Sequence, residues 1–398
     1  MSSTSAIEKR LSSAPALTIA SYISFIPVGV ATVLLGPMLP TLSARWSLNY
    51  SQAGALFTAQ YVASTCAVAI SGVVVSRWGY RFAIKAGLLL MAVGLALLLE
   101  GSVASGIVCI AVYGAGLGIS VPAGNLLVAE VNPRRRSATL NWLNFCWSAG
   151  AVACPFLVAA AARTHQVPLF LRMVAAVSLC VAIGISLMPS SVVEPSTKSE
   201  QHSSALPIIR GHLFTVAVVA ALFFLYVGTE NGFGGWVASY AKSLGDSKPT
   251  MSLMTPSFFY AALMIGRSVA PFLLRSVNEI RLAQAGLVLA CMGTAGLLFA
   301  NGLPGVLASA CATGLGLSSV YPITIALLAR EFGASSSQLG SAMFVLSNIG
   351  GGLLPWIVGV SATHFGTLKA GLVIPLLGCS AMFVLFLRTW TPEAAGTN

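Results

Sequence analysis

Ten carboxylates serve a chain of 398 residues, and most lie where water reaches them. Glu8, Glu194, Glu200 and Glu393 sit in tails or in a polar linker, and Glu279, Glu331 and Asp246 sit in short loops. Glu100 and Glu130 end apolar runs. Glu130 adjoins Arg134, Arg135 and Arg136 and reads as their ion-pair partner. Glu230 alone falls well inside an apolar run, in "YVGTENGFGGW" (226–236), directly after "LFTVAVVAALFFL" (213–225). An ionised carboxylate in hydrocarbon costs about 2.5–3.5 kcal/mol on insertion scales, so such a residue faces a water-filled cavity or a partner. Three roles are open to Glu230. It carries a proton whose binding depends on conformation and solute, it hydrogen-bonds a solute without coupling, or it only ties neighbouring helices together.

Amides and aromatics form the second set. Asn141, Asn144 and Trp147 are three apart and share one face of a helix. Amides donate and accept hydrogen bonds, which matches the hydroxyls of a sugar. Trp offers an apolar surface to the C–H side of a pyranose. Asn125, Asn231, Asn348, Gln60, Tyr226 and Tyr321 are further candidates, with Tyr61 beside Gln60. The competing role for all of them is interhelical glue in lipid. Gly232, Gly234 and Gly235 follow the carboxylate and weaken a helix there, with Trp236 placed to close over a cavity. Close helix packing on small residues is the alternative. Arg267, inside an apolar run, reads first as an anchor of the 8–9 region or a snorkelling side chain, with burial as the alternative. The eight cysteines all fall in apolar segments without CxxC or Cys/His spacing and read as small packing residues.

These residues require apolar helices to hold them. The chain is 57% hydrophobic and 8% charged, against roughly 25% charged in a soluble domain. A bilayer-spanning helix needs about 20 apolar residues. Twelve runs meet the pattern, at 16–42, 50–76, 80–101, 103–131, 138–162, 168–189, 211–241, 252–274, 280–300, 303–330, 337–364 and 368–389. The expected fold is all-α, with twelve transmembrane helices in two pseudo-symmetric six-helix bundles. A β-barrel would show short alternating segments instead. The polar, basic stretch "MSSTSAIEKRLSSAPA" precedes an apolar run too long for a signal-peptide core, so that run is expected to be retained.

The net charge of +11 comes from short basic loops and gives no reason to expect a nucleic-acid partner. With the N-terminus inside, most of the 21 basic residues lie inside. Arg45, Arg163, Arg172, Lys242, Lys248 and Lys369 lie outside, and Arg267 falls within the eighth span. The positive-inside rule then places both termini in the cytoplasm.

Residues 190–210, within the Ser- and Pro-rich stretch "PSSVVEPSTKSEQHSSALP", read as a flexible cytoplasmic linker between residues 1–189 and 211–398. The two halves match at an offset of 200. "GAGLGISVP" (114–122) faces "GLGLSSVYP" (314–322), and "SAGAVACP" (148–155) faces "NIGGGLLP" (348–355). Gly114, Gly116, Pro122, Gly150 and Pro155 each have their counterpart 200 residues on. Parallel repeats of this kind place a substrate cavity between the halves near the midplane.

With twelve spans, a central linker and basic 2–3 and 8–9 loops, the chain resembles a major facilitator superfamily transporter over nearly its whole length. The family's 2–3 loop motif is roughly G-x-x-x-D-R-x-G-R-R. "GVVVSRWGYR" (72–81) keeps Gly72, Arg77, Gly79 and Arg81 and replaces the Asp with Ser76. The resemblance implies a cytoplasmic gating role for Arg77 and Arg81, without the lock that the Asp supplies. Within the superfamily, "GNLLVAEVNPRRRSATLNWLNFCWSAGAVACP" (124–155) is similar to the fucose permease-like sugar:proton symporters through Asn125, Pro133, Arg136, Asn141 and Gly150. "YVGTENGFGGWVASY" resembles that group's seventh-helix Y-x-G-x-E-x-x-x-G-x-W. Gly36 and Val121 stand where the permease that typifies the group carries acids, so its coupling cannot be copied.

The expected activity is secondary active transport by alternating access, importing a sugar or sugar-like polyhydroxyl solute with protons. A facilitative uniporter and an exporter of amphipathic compounds are the alternatives. The expected partners are the small solute, the proton and the lipid bilayer, with no cofactor or metal and with the monomer as working unit. The expected location is the inner (plasma) membrane of a bacterium, as a multi-pass protein. No P-loop, metal cluster or catalytic triad is visible, and the GxG runs lie inside apolar helices, so no enzyme is expected.

Overall fold

Proline and glycine decide where the apolar runs break. In the computed structural model, which describes residues 2–132, 135–187, 213–245, 249–332 and 336–389, the first run divides into α1 (Ser2–Val33) and α2 (Leu35–Trp46). Pro37 lacks the N–H that would reach the carbonyl of Val33, so the ladder stops there. The second and third runs form one element, α3 (Tyr50–Leu97), which turns at Gly79 with φ 79° and ψ 167°. An L side chain is strained at that φ, and glycine is not.

Then come α4 (Val103–Val131), α5 (Arg136–Arg163) and α6 (Val167–Leu187). The second half holds α7 (Leu213–Ser243), the short α8 (Pro249–Ser252) and α9 (Thr255–Leu273). Asn278 caps α10 (Glu279–Phe299), its side chain accepting from the Ile280 N–H at 2.8 Å. The tenth run divides into α11 (Leu303–Leu317) and α12 (Val320–Phe332). The chain continues as α13 (Ser336–Phe365), α14 (Leu368–Gly371) and α15 (Val373–Thr389). All regular structure among the described residues is helical.

Among the described residues, ten segments are long and apolar enough to cross a membrane. One of the ten is Tyr50–Leu97, which the turn at Gly79 makes into two. The helix carrying Arg267, Thr255–Leu273, is not among the ten. With these two, the twelve expected spans all have their helices, and the protein is a twelve-helix, multi-pass membrane protein.

Two compact units result. One draws on residues 1–34 and 59–198, the other on 35–58 and 199–398. The expected linker at 190–210 lies outside the described residues. In the first unit α5 packs along α1, and in the second α13 packs along α7. Lipid gives no hydrophobic drive to helix association, so close approach at small residues holds these pairs. A Cβ on Gly150 would lie 2.1 Å from the Ile26 carbonyl oxygen, and one on Gly350 would lie 2.1 Å from that of Phe224. Gly116 meets the carbonyl of Gly87 at 2.5 Å, and Gly316 that of Gly286 at 2.5 Å. Gly114 meets Gln60 O at 2.5 Å, and Gly314 meets Phe259 O at 2.3 Å. Glycines 200 residues apart thus do the same work in each half.

Residues 35–58 join the second unit through α7 and α13. A Cβ on Gly36 would lie 2.8 Å from Gly234 O. The Thr58 hydroxyl donates to Gly352 O at 3.1 Å, and the Ser51 N–H donates to the Thr363 hydroxyl at 2.8 Å.

Candidate functional site

Tyr226 and Glu230 are four apart on α7 and therefore share a face. Both are buried, Glu230 at 9% exposure and Tyr226 at 1%. The Tyr226 hydroxyl hydrogen-bonds the Glu230 carboxyl. Arg267, on α9, donates from Nη2 to the same hydroxyl at 3.2 Å. The guanidinium acts electrostatically on Glu230 without a direct ion pair, since no described salt bridge includes either residue. Tyr321 of α12 stacks on Tyr226 with ring centroids 5.0 Å apart. Phe223 meets the Tyr321 ring edge-on at 5.5 Å.

The second unit therefore brings Tyr226, Glu230 and Tyr321 together and adds Arg267. Of the readings open to Arg267, the inward-facing one holds and the loop anchor or snorkelling side chain does not. Its side chain turns toward α7, and its Nε is buried. The available signal was that it is the only basic residue placed inside a span, which in lipid marks a partner or a pathway. Asn231 donates from Nδ2 to Val227 O of its own helix at 2.8 Å, which leaves Oδ1 as its acceptor. Asn348 on α13 is half-buried and makes no hydrogen bond among the described residues.

The first unit holds the other candidates. α5 is helical from Arg136 to Arg163, so the spacing of Asn141, Asn144 and Trp147 does place them along one face. Asn141 and Asn144 are exposed, and Asn144 donates to Leu140 O at 2.9 Å. Trp147 donates from Nε1 to the Thr32 hydroxyl at 3.3 Å and packs against the cluster of Phe25, Val128 and Leu143. Asn125 donates to Val121 O at 2.9 Å. Gln60 is 2% exposed, with Nε2 toward Thr32 O at 3.4 Å and Oε1 accepting from Tyr113 at 3.1 Å. Its amide is thereby spent on the helices around it.

The residues proposed to gate are held as follows. α7 runs unbroken through Gly232, Gly234 and Gly235. A Cβ on Gly235 would lie 2.7 Å from the Phe57 ring, and one on Gly234 would lie 2.7 Å from the Tyr260 hydroxyl. Gly232 has ordinary space, with Pro375 at 3.4 Å. Trp236 is fully buried, donates from Nε1 to Pro355 O at 2.9 Å and meets Tyr50 edge-on at 6.2 Å.

At the 2–3 turn Arg77 is exposed, and Arg81 donates to Ile185 O at 2.7 Å. Ser76, in the place of the motif's Asp, donates to Val73 O of its own helix at 3.0 Å. Glu130 has a partner besides those expected. It accepts from the Tyr80 hydroxyl at 2.5 Å, and no described ion pair includes it. The turn at Gly79 carries Tyr80 to the end of α4, where its phenol meets the carboxylate. Arg134 lies outside the described residues.

Residues 21–355 match the family described as Major Facilitator Superfamily. A curated relative, Protein TsgA of Escherichia coli, is 24% identical over 359 residues, 88% of each chain. Among solved structures, the nucleoside transporter NupG aligns with TM-score 0.78 at 14% identity, covering 95% of this chain and 100% of the other. The Escherichia coli fucose:proton symporter FucP aligns with TM-score 0.65 at 21% identity, again covering 95% and 100%.

Proposed function

Because the chain belongs to the Major Facilitator Superfamily, and is therefore a transporter rather than an enzyme, we propose that it imports a sugar or sugar-like polyhydroxyl solute together with protons by alternating access. One observation carries the reading: a buried carboxyl, Glu230, is set in a membrane helix beside a tyrosine hydroxyl and a guanidinium. A carboxyl in such a place is costly to keep ionised and is retained where a proton or an ion must pass. The exposed amides of Asn141 and Asn144 in the first unit, and in the second that of Asn348, without a hydrogen bond among the described residues, are groups of the kind that bind hydroxyls. The likeness to a fucose:proton symporter supports the same solute class.

A uniporter is the second reading, and the Arg267 guanidinium beside Glu230 is what favours it. A carboxylate that stays charge-compensated through every state binds solute hydroxyls and carries no proton. Uptake into proteoliposomes, with and without an inward proton gradient, separates the two. Gradient-driven accumulation in wild type, lost in Glu230→Gln while solute exchange persists, is the expected result. Equal, gradient-independent equilibration in both proteins would make the protein a facilitator.

A further inference from the structure

A guanidinium carries five N–H donors in a planar fork and stays charged. Arg267 uses one of them on the Tyr226 hydroxyl at 3.2 Å. Its Nε is buried and has no hydrogen-bond partner among the described residues. No described ion pair includes Arg267, although Glu230 lies on the other side of the shared hydroxyl. Arg267 is half-buried, and a guanidinium N–H shut away from water, as at Nε, is costly unless something supplies its missing acceptor. Water or a second protein carboxylate would serve equally in a structural role. Among the described residues, the one carboxylate acting on Arg267 is Glu230, and it reaches the fork through the tyrosine. The Tyr226 and Tyr321 rings, stacked at 5.0 Å, wall the same spot with apolar faces and two hydroxyls.

We infer that Arg267 is a solute-binding residue and that the solute is a polyhydroxyl monocarboxylate, a sugar acid rather than a neutral sugar. This rests on the proton-coupled import proposed above and narrows its substrate. The planar fork matches a carboxylate in two parallel N–H···O bonds. A single guanidinium balances a single negative charge, which favours a carboxylate over the more highly charged phosphate. The sequence of events follows from charge. In the empty site the Glu230 carboxylate compensates Arg267 through the Tyr226 hydroxyl. When the solute carboxylate takes the fork, the site holds two anions and one cation. Glu230 then binds a proton from the outer water, and the loaded site is neutral overall. On release inside, the solute leaves as an anion, the proton leaves Glu230, and the carboxylate again compensates Arg267. The titratable or charged groups facing Glu230 are Tyr226 on its own helix, Arg267 from α9 and Tyr321 from α12. Among the described residues, none acts on it from α2, α8, α11, α13, α14 or α15, which also pack on α7.

The test uses the full chain in proteoliposomes and matched pairs of labelled hexoses and hexuronates of gluco, galacto and manno configuration. Uptake of a hexuronate under an inward proton gradient is expected, indifferent to an imposed membrane potential because one proton accompanies one anion. Arg267→Gln is expected to weaken hexuronate binding about 10- to 100-fold, the worth of a charge-assisted pair, with Arg267→Lys partly restoring it. Should Arg267→Gln fail to fold, competition between hexose and hexuronate in wild type decides alone. Neutral hexose uptake that hexuronates do not compete with overturns the assignment of Arg267 and leaves proton–sugar import standing. Stronger binding of a hexose phosphate than of the hexuronate overturns the carboxylate class. No gradient-driven uptake of either member of any pair overturns both.

Discussion

At the residue scale, a buried polar atom shows its role by where its hydrogen bonds go. Gln60 and Trp236 are both nearly inaccessible, and each gives its donor to another helix. Asn144 and Asn231 return their donors to their own helices and keep an acceptor outward. These are different jobs, and the residue types alone do not separate them. For Trp236, replacement by Phe keeps most of the ring packing and removes one bond to Pro355 O. The expected cost is about 1 kcal/mol, visible as a lower unfolding temperature in detergent with solute affinity retained. If instead affinity falls and stability holds, Trp236 acts as a lid over the solute and not as a tie between helices.

At the element scale, the question is what the glycines of α7 do. A gate needs a helix that opens, and a seam needs a helix that others approach closely. α7 is continuous, and the three glycines differ in their surroundings. Gly235→Ala would drive a methyl against the Phe57 ring at 2.7 Å, whereas Gly232→Ala meets nothing closer than 3.4 Å. Seam packing predicts loss of folded protein for Gly235→Ala and near-wild-type yield and transport for Gly232→Ala. Alanine also stiffens a helix, by about 1 kcal/mol relative to glycine. A hinge would therefore show as slowed transport in Gly232→Ala with stability unchanged or raised. The same close approach explains why residues 35–58 join the second unit: Gly36, across from Gly234, has no side chain to hold the helices apart.

At the scale of the whole molecule, the repeat is the organising fact. Gly150 against Ile26 of α1 and Gly350 against Phe224 of α7 are equivalent contacts, made by glycines 200 residues apart. Valine at either position is expected to cause the same defect, a large drop in membrane-inserted, monodisperse protein. Valine at Gly184, where an added Cβ meets nothing within 4 Å, is the control and is expected to be silent. Unequal effects at 150 and 350, measured as yield from solubilised membranes, would mean that one half tolerates separation of its helices and the other does not.

The runs of apolar residues, the breaks at Gly79 and Pro37 and the glycine matches at one offset were all open to reading from the chain. They depend on local chemistry: burial from water, missing donors and missing side chains. Glu230 was legible for the same reason, since a charge in an apolar run needs a reason to be there. What it faces was not. Arg267 is 37 residues further along the chain, on a helix whose rotation the sequence leaves open, and only packing turned it toward Tyr226 instead of toward the bilayer surface. Glu130 shows the same rule: the turn at Gly79 brings it Tyr80, 50 residues distant, a partner that no local spacing announces. Sequence by itself determined that this chain lives in a membrane as two related sets of helices with one carboxyl inside them. The tertiary structure alone decided the neighbours of that carboxyl, because a side chain's partner is set by how helices rotate and approach, and those are properties of their contacts.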